Sequence, residues 1–301
     1  MRTFAKERIF KKMKKLIYLL LTVLIVACSD DDNVGNYQSV YDGDNPVYLA
    51  ENGVTIKAYE WSNAGDKGEV NGVTYTVVDE DMLREMVANE DDVTKIATTK
   101  VTDMFFMFKK VETFNQDISS WDVSNVTNMF FMFKGTVTFN QDISTWNVSK
   151  VTDMSYMFEE ASAFNQDLSN WDVSNVTEMG YMFFLATSFN QPIGDWDVSN
   201  VTDMERMFSD ATSFNQDIGS WEVSNVTHMG YMFGDATSFN QPIGDWDVSK
   251  VTDMSFMFEE AFAFNQDLSG WDVSNVTNCE DFSDGTTVWT EPKPNFTNCT
   301  P

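Results

Sequence analysis

The sequence predicts a repeat solenoid, a single elongated domain of stacked 25-residue coils, and two observations lead to that fold class. Tryptophan recurs every 25 residues from Trp121 to Trp271, and Phe-Asn-Gln recurs in the same phase from Phe114 to Phe264. The consensus unit VTDMSYMFEEATSFNQDISSWDVSN fills residues 101–275 seven times without an insertion. Because self-similarity at a fixed period is typical of repeat architectures, we expect each unit to bury its apolar face against its neighbours.

Within one unit the apolar spacing predicts a leucine-rich-repeat-like coil, with a short parallel strand and a short helical segment. The spacing LxxLxL is approximated by Ile118, Trp121, Val123, Val126 and Met129. We expect the strand to be centred on residues 121–123, with Asp122 pointing outward. Apolar residues at intervals of three and four predict the inner face of a helical segment over residues 126–133.

The repeated carboxylates argue against an enzyme. Asp117 and Asp122 have counterparts in nearly every copy, whereas a catalytic site occurs once in a chain. No nucleophile triad, metal-ligand spacing or phosphate loop stands outside the repeat. The sequence therefore predicts a protein that is not an enzyme and has no cofactor.

The repeats resemble those of a known family. WDVSNVT, FNQ and VTDMSYMF at a 25-residue period, over residues 101–278, are similar to the BspA-like leucine-rich-repeat surface proteins of bacteria. The resemblance implies a solenoid fold and a cell-surface location, with adhesion or protein binding as the function. The acidity and the N-terminus of this chain depart from simple members, so no particular host target is implied.

Residues 1–27 have the pattern of a lipoprotein signal peptide. Two lysines precede the apolar run LIYLLLTVLIVA of residues 16–27, which is too short to span a bilayer. Ile25-Val26-Ala27-Cys28 resembles a bacterial lipobox and makes Cys28 the predicted lipidation site; the alternative is an ordinary signal peptide cleaved elsewhere. Met13 is the predicted true start, because a complete signal begins there.

The next segment, residues 28–45, is predicted to be a flexible acidic tether. Its SDDDN resembles the export signal that sends lipoproteins of Bacteroidetes to the outer face of the outer membrane. We therefore expect a lipid-anchored protein on the cell surface of a Bacteroidetes-like bacterium, in contact with the membrane through its lipid only.

Removing residues 1–27 takes away seven of the 19 bases and one of the 47 acids, which leaves a net charge of about −34. Such a chain repels nucleic acid.

Both ends of the array are predicted to be capped, since terminal coils would otherwise expose apolar surface. Residues 46–100 are predicted to form a small α+β N-terminal cap, with a hairpin at Asn52-Gly53, a strand over residues 73–77 and a helix capped by Asp79. The competing interpretation is an independent binding domain. Residues 279–301 are the predicted C-terminal cap, where Cys279 and Cys299 favour a disulfide over a zinc site.

The candidates for ligand contact are positions that vary while the scaffold stays constant. One aromatic column and one apolar pair vary in this way, and packing between coils is the favoured alternative for the column. These candidates are Phe106, Phe131, Tyr156, Tyr181, Tyr231, Phe256, Phe184 and Leu185.

Two further polar sets have structural interpretations. Asn115 and Gln116 recur in all seven copies and predict a hydrogen-bonded ladder along the turns, in preference to ligand binding. A row of carboxylates about 5 Å apart is a candidate for calcium binding, and solvent screening of the charges is the alternative. This row comprises Asp122, Asp172, Asp197, Asp247 and Asp272.

Together these features predict a surface-anchored, non-enzymatic binding or adhesion protein that uses the extended face of a solenoid. Its expected partner is a protein or glycan at the cell surface. The alternative function is a structural spacer without a specific ligand.

Overall fold

The computed structural model describes residues 44–301, and its regular secondary structure lies in the first part of that range. An antiparallel pair is formed by β1 (Val47–Leu49) and β2 (Ile56–Ala58). A second sheet has the order β3 (Lys67–Val70), β4 (Val73–Val77) and β5 (Ile96–Ala97), with β3 antiparallel and β5 parallel to β4. The helix α1 (Glu80–Ala88) connects β4 to β5. Over the described range no helix combines the length and apolar character that a membrane span requires.

The local sequence explains these elements. The Asn52 Oδ1 atom accepts the backbone N–H groups of Val54 and Thr55, and Gly53 takes a left-handed φ of 72°, so the chain reverses between β1 and β2. The Asp79 side chain accepts the N–H of Met82 and thereby caps α1. The hairpin, the strand at residues 73–77 and the capped helix predicted from the sequence are all present.

The N-terminal segment is joined directly to the first repeat. The Ile56 N–H donates to the Ser120 carbonyl at 2.8 Å, and the Trp121 indole donates to the Val93 carbonyl at 3.0 Å. Val93 in turn donates its N–H to the Gln116 side chain. These bonds satisfy the Ser120 carbonyl and the Trp121 and Gln116 side chains of the first repeat, which have no preceding repeat to pair with.

The tandem repeats continue from residue 101 and hydrogen-bond to one another in register. Single parallel bridges link equivalent residues from Asp103 through Asn128 to Asn278, always 25 positions apart. The apolar positions identified in the sequence are buried in every copy, and they form one continuous cluster of Val, Met, Phe, Ile or Leu, and Trp. The inward apolar pattern is therefore confirmed.

The predicted strand at residues 121–123 is wrong, as are its counterparts in the other repeats. The Trp121 N–H bonds back to the Ile118 carbonyl, and the Asp122 carboxylate accepts the N–H of Ser124, so the backbone turns at this point. The parallel bridges pass instead through Asp103 and Asn128. Hydrogen bonding inside the repeat thus uses the groups that a strand would have offered to its neighbours.

The predicted helical segment at residues 126–133 is also wrong. Phe131 has a φ of 58°, which an α-helix does not tolerate. The Met132 N–H bonds within its own repeat, to Met129, whereas Phe131 and Phe133 donate to the carbonyls of Ser155 and Met157 in the next repeat. Alternate N–H groups therefore donate hydrogen bonds to the next repeat, an arrangement that an α-helix cannot provide.

The C-terminal segment covers the last repeat. The Trp289 ring is buried and meets Phe258 and Phe264 edge-on, with centroid distances of 5.3 and 4.8 Å. The predicted disulfide between Cys279 and Cys299 is present, with Cα atoms 5.9 Å apart. Residues outside the repeats therefore cover both the first and the last repeat.

Candidate functional site

The aromatic strip, one residue per repeat, is a stack of six half-buried rings with an arginine at one level. Successive ring centroids lie 4.3 to 4.9 Å apart with interplanar angles of 12 to 26°. At such distances the ring faces contact one another, and only the ring edges face solvent. The packing interpretation therefore has direct geometric support. The strip consists of Phe106, Phe131, Tyr156, Tyr181, Arg206, Tyr231 and Phe256.

Every member of the aromatic strip has a positive φ, between 54 and 60°. This left-handed conformation is costly for large side chains, so the surrounding hydrogen bonds must hold it in place. It turns the N–H of each strip residue toward the next repeat; for example, Tyr156 donates to the Gly180 carbonyl at 2.9 Å. The backbone hydrogen bonds between repeats therefore fix where the side chains of the aromatic strip lie.

Arg206 replaces the ring at one level of the strip. Its guanidinium carbon lies 3.6 Å from the Tyr231 ring centroid and 5.8 Å from that of Tyr181, so the cation continues the stack. Glu205 accepts a hydrogen bond from the Tyr181 hydroxyl at 2.9 Å and has an oxygen 3.9 Å from the Arg206 Nε atom. Burial, followed by the neighbouring Glu205, raises the pKa of Tyr181, which stays protonated at physiological pH.

Two lysines lie over the strip at its N-terminal end. The Lys109 Nζ atom is 3.9 Å from the Phe106 ring centroid, and the half-buried Lys134 forms an ion pair with the buried Glu159 at 2.6 Å. Burial raises the pKa of the Glu159 carboxyl, and Lys134 opposes this shift. These cations are therefore held by rings and by a carboxylate.

The apolar pair Phe184 and Leu185 lies beside the strip and is half-buried. The Phe184 ring meets Tyr181 edge-on at 5.8 Å, and Leu185 has a φ of 59°. Other repeats have Ser209 and Asp210 at these positions, so the pair is specific to one level of the array.

The ladder predicted for the Asn and Gln columns is present. The Asn190 Oδ1 atom accepts the backbone N–H of Asn215 and the side chain of Gln216, both at 2.9 Å. The same acceptor role recurs from Asn115 to Asn265, where the backbone N–H groups of Thr290 and Glu291 in the C-terminal segment donate to the Asn265 oxygen. These amides are exposed or half-buried, and they have a structural function.

The aspartates of the calcium candidate do not form one uniform exposed row. Asp122 is 2% exposed and lies 3.6 Å from the Lys57 ammonium, whereas its counterparts are exposed. Each counterpart accepts the N–H of the serine two residues later, as Asp172 does from Ser174. Among residues 44–301 no group of three or more His, Cys, Asp or Glu residues is arranged to hold a metal ion. The full set is Asp122, Asp172, Asp197, Asp247 and Asp272.

Sequence reasoning missed the hydrogen bonds of the tryptophans. The Trp171 indole donates to the Ile143 carbonyl of the preceding repeat at 3.1 Å, and the tryptophans of the other repeats after the first do the same, whereas Trp121 donates to Val93 of the N-terminal segment. The signal was the unvarying choice of tryptophan where any large apolar residue could fill the space.

The predicted lipidation site Cys28, the signal peptide and nearly all of the tether lie outside the described residues.

Comparison with known proteins identifies the family. The family described as "Mycoplasma protein of unknown function, DUF285" matches residues 80–196 and 184–293, which together cover well over half of the chain. No curated protein matches, and no solved structure matches. The two tandem matches agree with the repeats seen in the sequence, and the chain belongs to this family.

Proposed function

We propose that this DUF285 family member is a surface-anchored, non-enzymatic binding protein built as a leucine-rich-repeat-like solenoid of the BspA-like type. The observation that carries the proposal is the register of the repeats, since equivalent residues follow one another through the bridges from Asp103 to Asn278. Exposed side chains are therefore presented in long rows. Rows of this kind suit a binding protein, because each level adds a weak contact and the contacts sum along the face.

The exposed rows favour a basic protein ligand over a glycan. A sugar ring stacks on the face of an aromatic ring, but the faces of the aromatic strip are occupied by neighbouring rings. The exposed aspartate rows, by contrast, are available to cations along much of the array, and the chain has 47 acids against 19 bases. Electrostatic complementarity of this kind speeds association with a positively charged partner.

A binding screen tests this function. The chain would be assayed against immobilised basic proteins, acidic proteins and glycans, first at low and then at physiological salt. Saturable, salt-sensitive binding to basic proteins is the expected result. Binding to none of the ligands would favour a structural spacer.

Matched variants test which face of the repeats binds the ligand. Asp172→Asn, Asp197→Asn, Asp247→Asn and Asp272→Asn combined would remove four charges and preserve the turns, because Asn147 in the same column accepts the Ser149 N–H in the same way. This variant is expected to lose binding. Tyr156→Phe with Tyr181→Phe preserves the ring stack and is expected to bind normally. The opposite outcome would move the site to the edges of the aromatic strip.

The proposed anchor is a lipid on Cys28, which would place the array at the outer surface of an outer membrane. Mass analysis of the N-terminus of the native protein tests this part separately. A diacylglycerol-modified Cys28 is expected. An unmodified N-terminus at another residue would remove the anchor and leave the binding proposal to be judged by the screen.

A further inference from the structure

The charge beside the aromatic strip changes sign along the array. Two adjacent residues per repeat, which we name the charged columns, begin at Lys109 and Lys110 and recur every 25 residues to Asp284 and Gly285. The first two levels carry three lysines, with Lys110 exposed. The seventh and eighth levels carry Glu259, Glu260 and Asp284, and the nearby Glu280 and Asp281 are exposed. One face of an otherwise acidic protein therefore has a basic end and an acidic end.

The middle of the charged columns is apolar. Phe184 and Leu185 stand at the fourth of eight levels, next to the midpoint of this face. Leu185 keeps a left-handed φ of 59°, a conformation that favours glycine, and glycine does occupy the column at Gly135 and Gly285. An apolar centre between charged ends is the usual composition of a protein interface.

We propose that two copies of the chain associate antiparallel through this face. A two-fold axis through the fourth level places the first level of one copy opposite the seventh level of the other, and the second level opposite the sixth. Lys109 and Lys110 then face Glu259 and Glu260, and Lys134, which is ion-paired with Glu159, lies opposite Asp235. The apolar pair packs across the axis. A two-fold interface uses the same patch on both copies, and this patch is complementary to itself only in the antiparallel order.

The other arrangements are less favourable. A parallel pair would set lysine against lysine at one end and carboxylate against carboxylate at the other. End-to-end stacking is blocked because the first repeat bonds to β2 through Ile56 and the last is covered by Trp289. In the antiparallel pair the third level meets the fifth, where Glu160 approaches Asp210. Glu159 at the third level is already paired with Lys134.

The acidic end has a local reason to take up cations. Burial, followed by Asp235, Glu260, Asp281 and Asp284, raises the pKa of the Glu259 carboxyl. The lysines of a second copy would relieve this crowding of like charges. Because the net charge of −28 opposes association in general, the contact depends on this specific pairing and weakens as salt screens it.

Sedimentation velocity over a range of protein and salt concentrations tests the proposal. The wild-type chain is expected to form a dimer whose dissociation constant rises about tenfold or more from low to high salt. A monomer at every concentration, or assemblies that keep growing beyond two copies, would overturn it.

Charge reversal tests the antiparallel order. The basic-end variant Lys109→Glu with Lys110→Glu, and the acidic-end variant Glu259→Lys with Glu260→Lys, should each be monomeric. An equimolar mixture of the two should form a heterodimer, because each end of the pair regains opposite charges. Unfolding curves verify that both variants are folded. Homodimers of either variant, or no heterodimer from two folded variants, would contradict the antiparallel order.

A separate double substitution tests the apolar pair at the centre of the interface. Phe184→Ser with Leu185→Asp copies Ser209 and Asp210 of the next level, so the backbone already carries these residue types at equivalent positions. This variant is expected to weaken dimerisation at least about tenfold, as removal of a central apolar contact does in other interfaces. Unchanged dimerisation would exclude these residues from the interface.

Discussion

The indole N–H of Trp196 donates to the backbone carbonyl of Leu168, 3.0 Å away, in the preceding repeat. Leu168 and Trp196 are both buried, so no water is available to replace this bond. The same contact joins Trp146 to Ile118 and Trp221 to Ile193. The tryptophan of each repeat thus fills the core and also satisfies a carbonyl of its neighbour.

Trp196→Phe is therefore expected to cost more than the loss of apolar volume alone. The change leaves the Leu168 carbonyl unpaired and opens a small cavity, which together should reduce the free energy of unfolding by about 2 to 4 kcal/mol. Urea unfolding followed by circular dichroism measures the loss. Tyr156→Phe, a ring change in a half-buried strip position, is the control and should cost less than about 0.5 kcal/mol. Equal effects of the two changes would show that the indole bond is unimportant.

Asn190→Ala tests the amide ladder. It removes the oxygen that accepts from Asn215 and Gln216, and the expected destabilisation is about 1 to 2 kcal/mol. Asn170→Ala is the matched control, because the Asn170 side chain is exposed and makes no hydrogen bond with another described residue. Thermal unfolding of both variants gives the comparison. A control variant as unstable as Asn190→Ala would mean that the ladder contributes nothing measurable.

The left-handed positions of the charged columns predict an unusual preference for glycine. Asp235 has a φ of 55°, so Asp235→Gly should be more stable than Asp235→Ala by about 1 kcal/mol. The converse change, Gly135→Ala, should destabilise by about the same amount, since the added methyl meets its nearest atom at 3.5 Å and is not crowded. Chemical unfolding at one pH measures all three variants. If alanine proves no worse than glycine at these positions, the left-handed conformation carries no cost.

Asp210 predicts a pH dependence of a definite sign. Burial, followed by the neighbouring Asp235, raises the pKa of the Asp210 carboxyl in the folded chain. Its charged form is therefore unfavourable to folding, and Asp210→Asn should be more stable than the wild type at neutral pH. The advantage should shrink as the pH falls through the raised pKa, where the wild-type carboxyl becomes neutral. Unfolding measured from pH 7 to about pH 4 checks this, and a pH-independent difference would contradict it.

The disulfide between Cys279 and Cys299 closes a loop with a sequence separation of 20 residues. Cys279→Ser with Cys299→Ser should destabilise the C-terminal segment by about 3 kcal/mol in the loop-entropy model. Because the repeats contact mainly their neighbours, hydrogen exchange should accelerate near Trp289 and change little at the first repeat. Reduction of the wild-type disulfide should reproduce this pattern. Equal acceleration along the whole array would show that the chain unfolds as one unit.

Much of the fold was predictable from periodicity. The buried positions, the Asn and Gln ladder, the N-terminal hairpin and the disulfide all follow from residue type and spacing. The strand at residues 121–123 and the helix at 126–133 were not correct, because an apolar period of two or three is compatible with several backbones. The left-handed φ of Phe131 decides among them, and no local preference of phenylalanine indicates it.

The candidate site shows the same division. The aromatic column is visible in the sequence, but only the ring distances show that its faces are covered and its edges free. Likewise Asp122 has the sequence context of its exposed counterparts, and it is buried because Lys57 and β2 lie against the first repeat.

What the sequence by itself determined is the period, the inward residues and the acidity, since these depend on composition and spacing along the chain. The tertiary structure alone decided which N–H groups bond to the next repeat, which carboxylates are buried, and how the lysines and carboxylates are placed along one face. Those properties arise between residues about 25 positions apart, where contact depends on the path of the backbone and not on local preference.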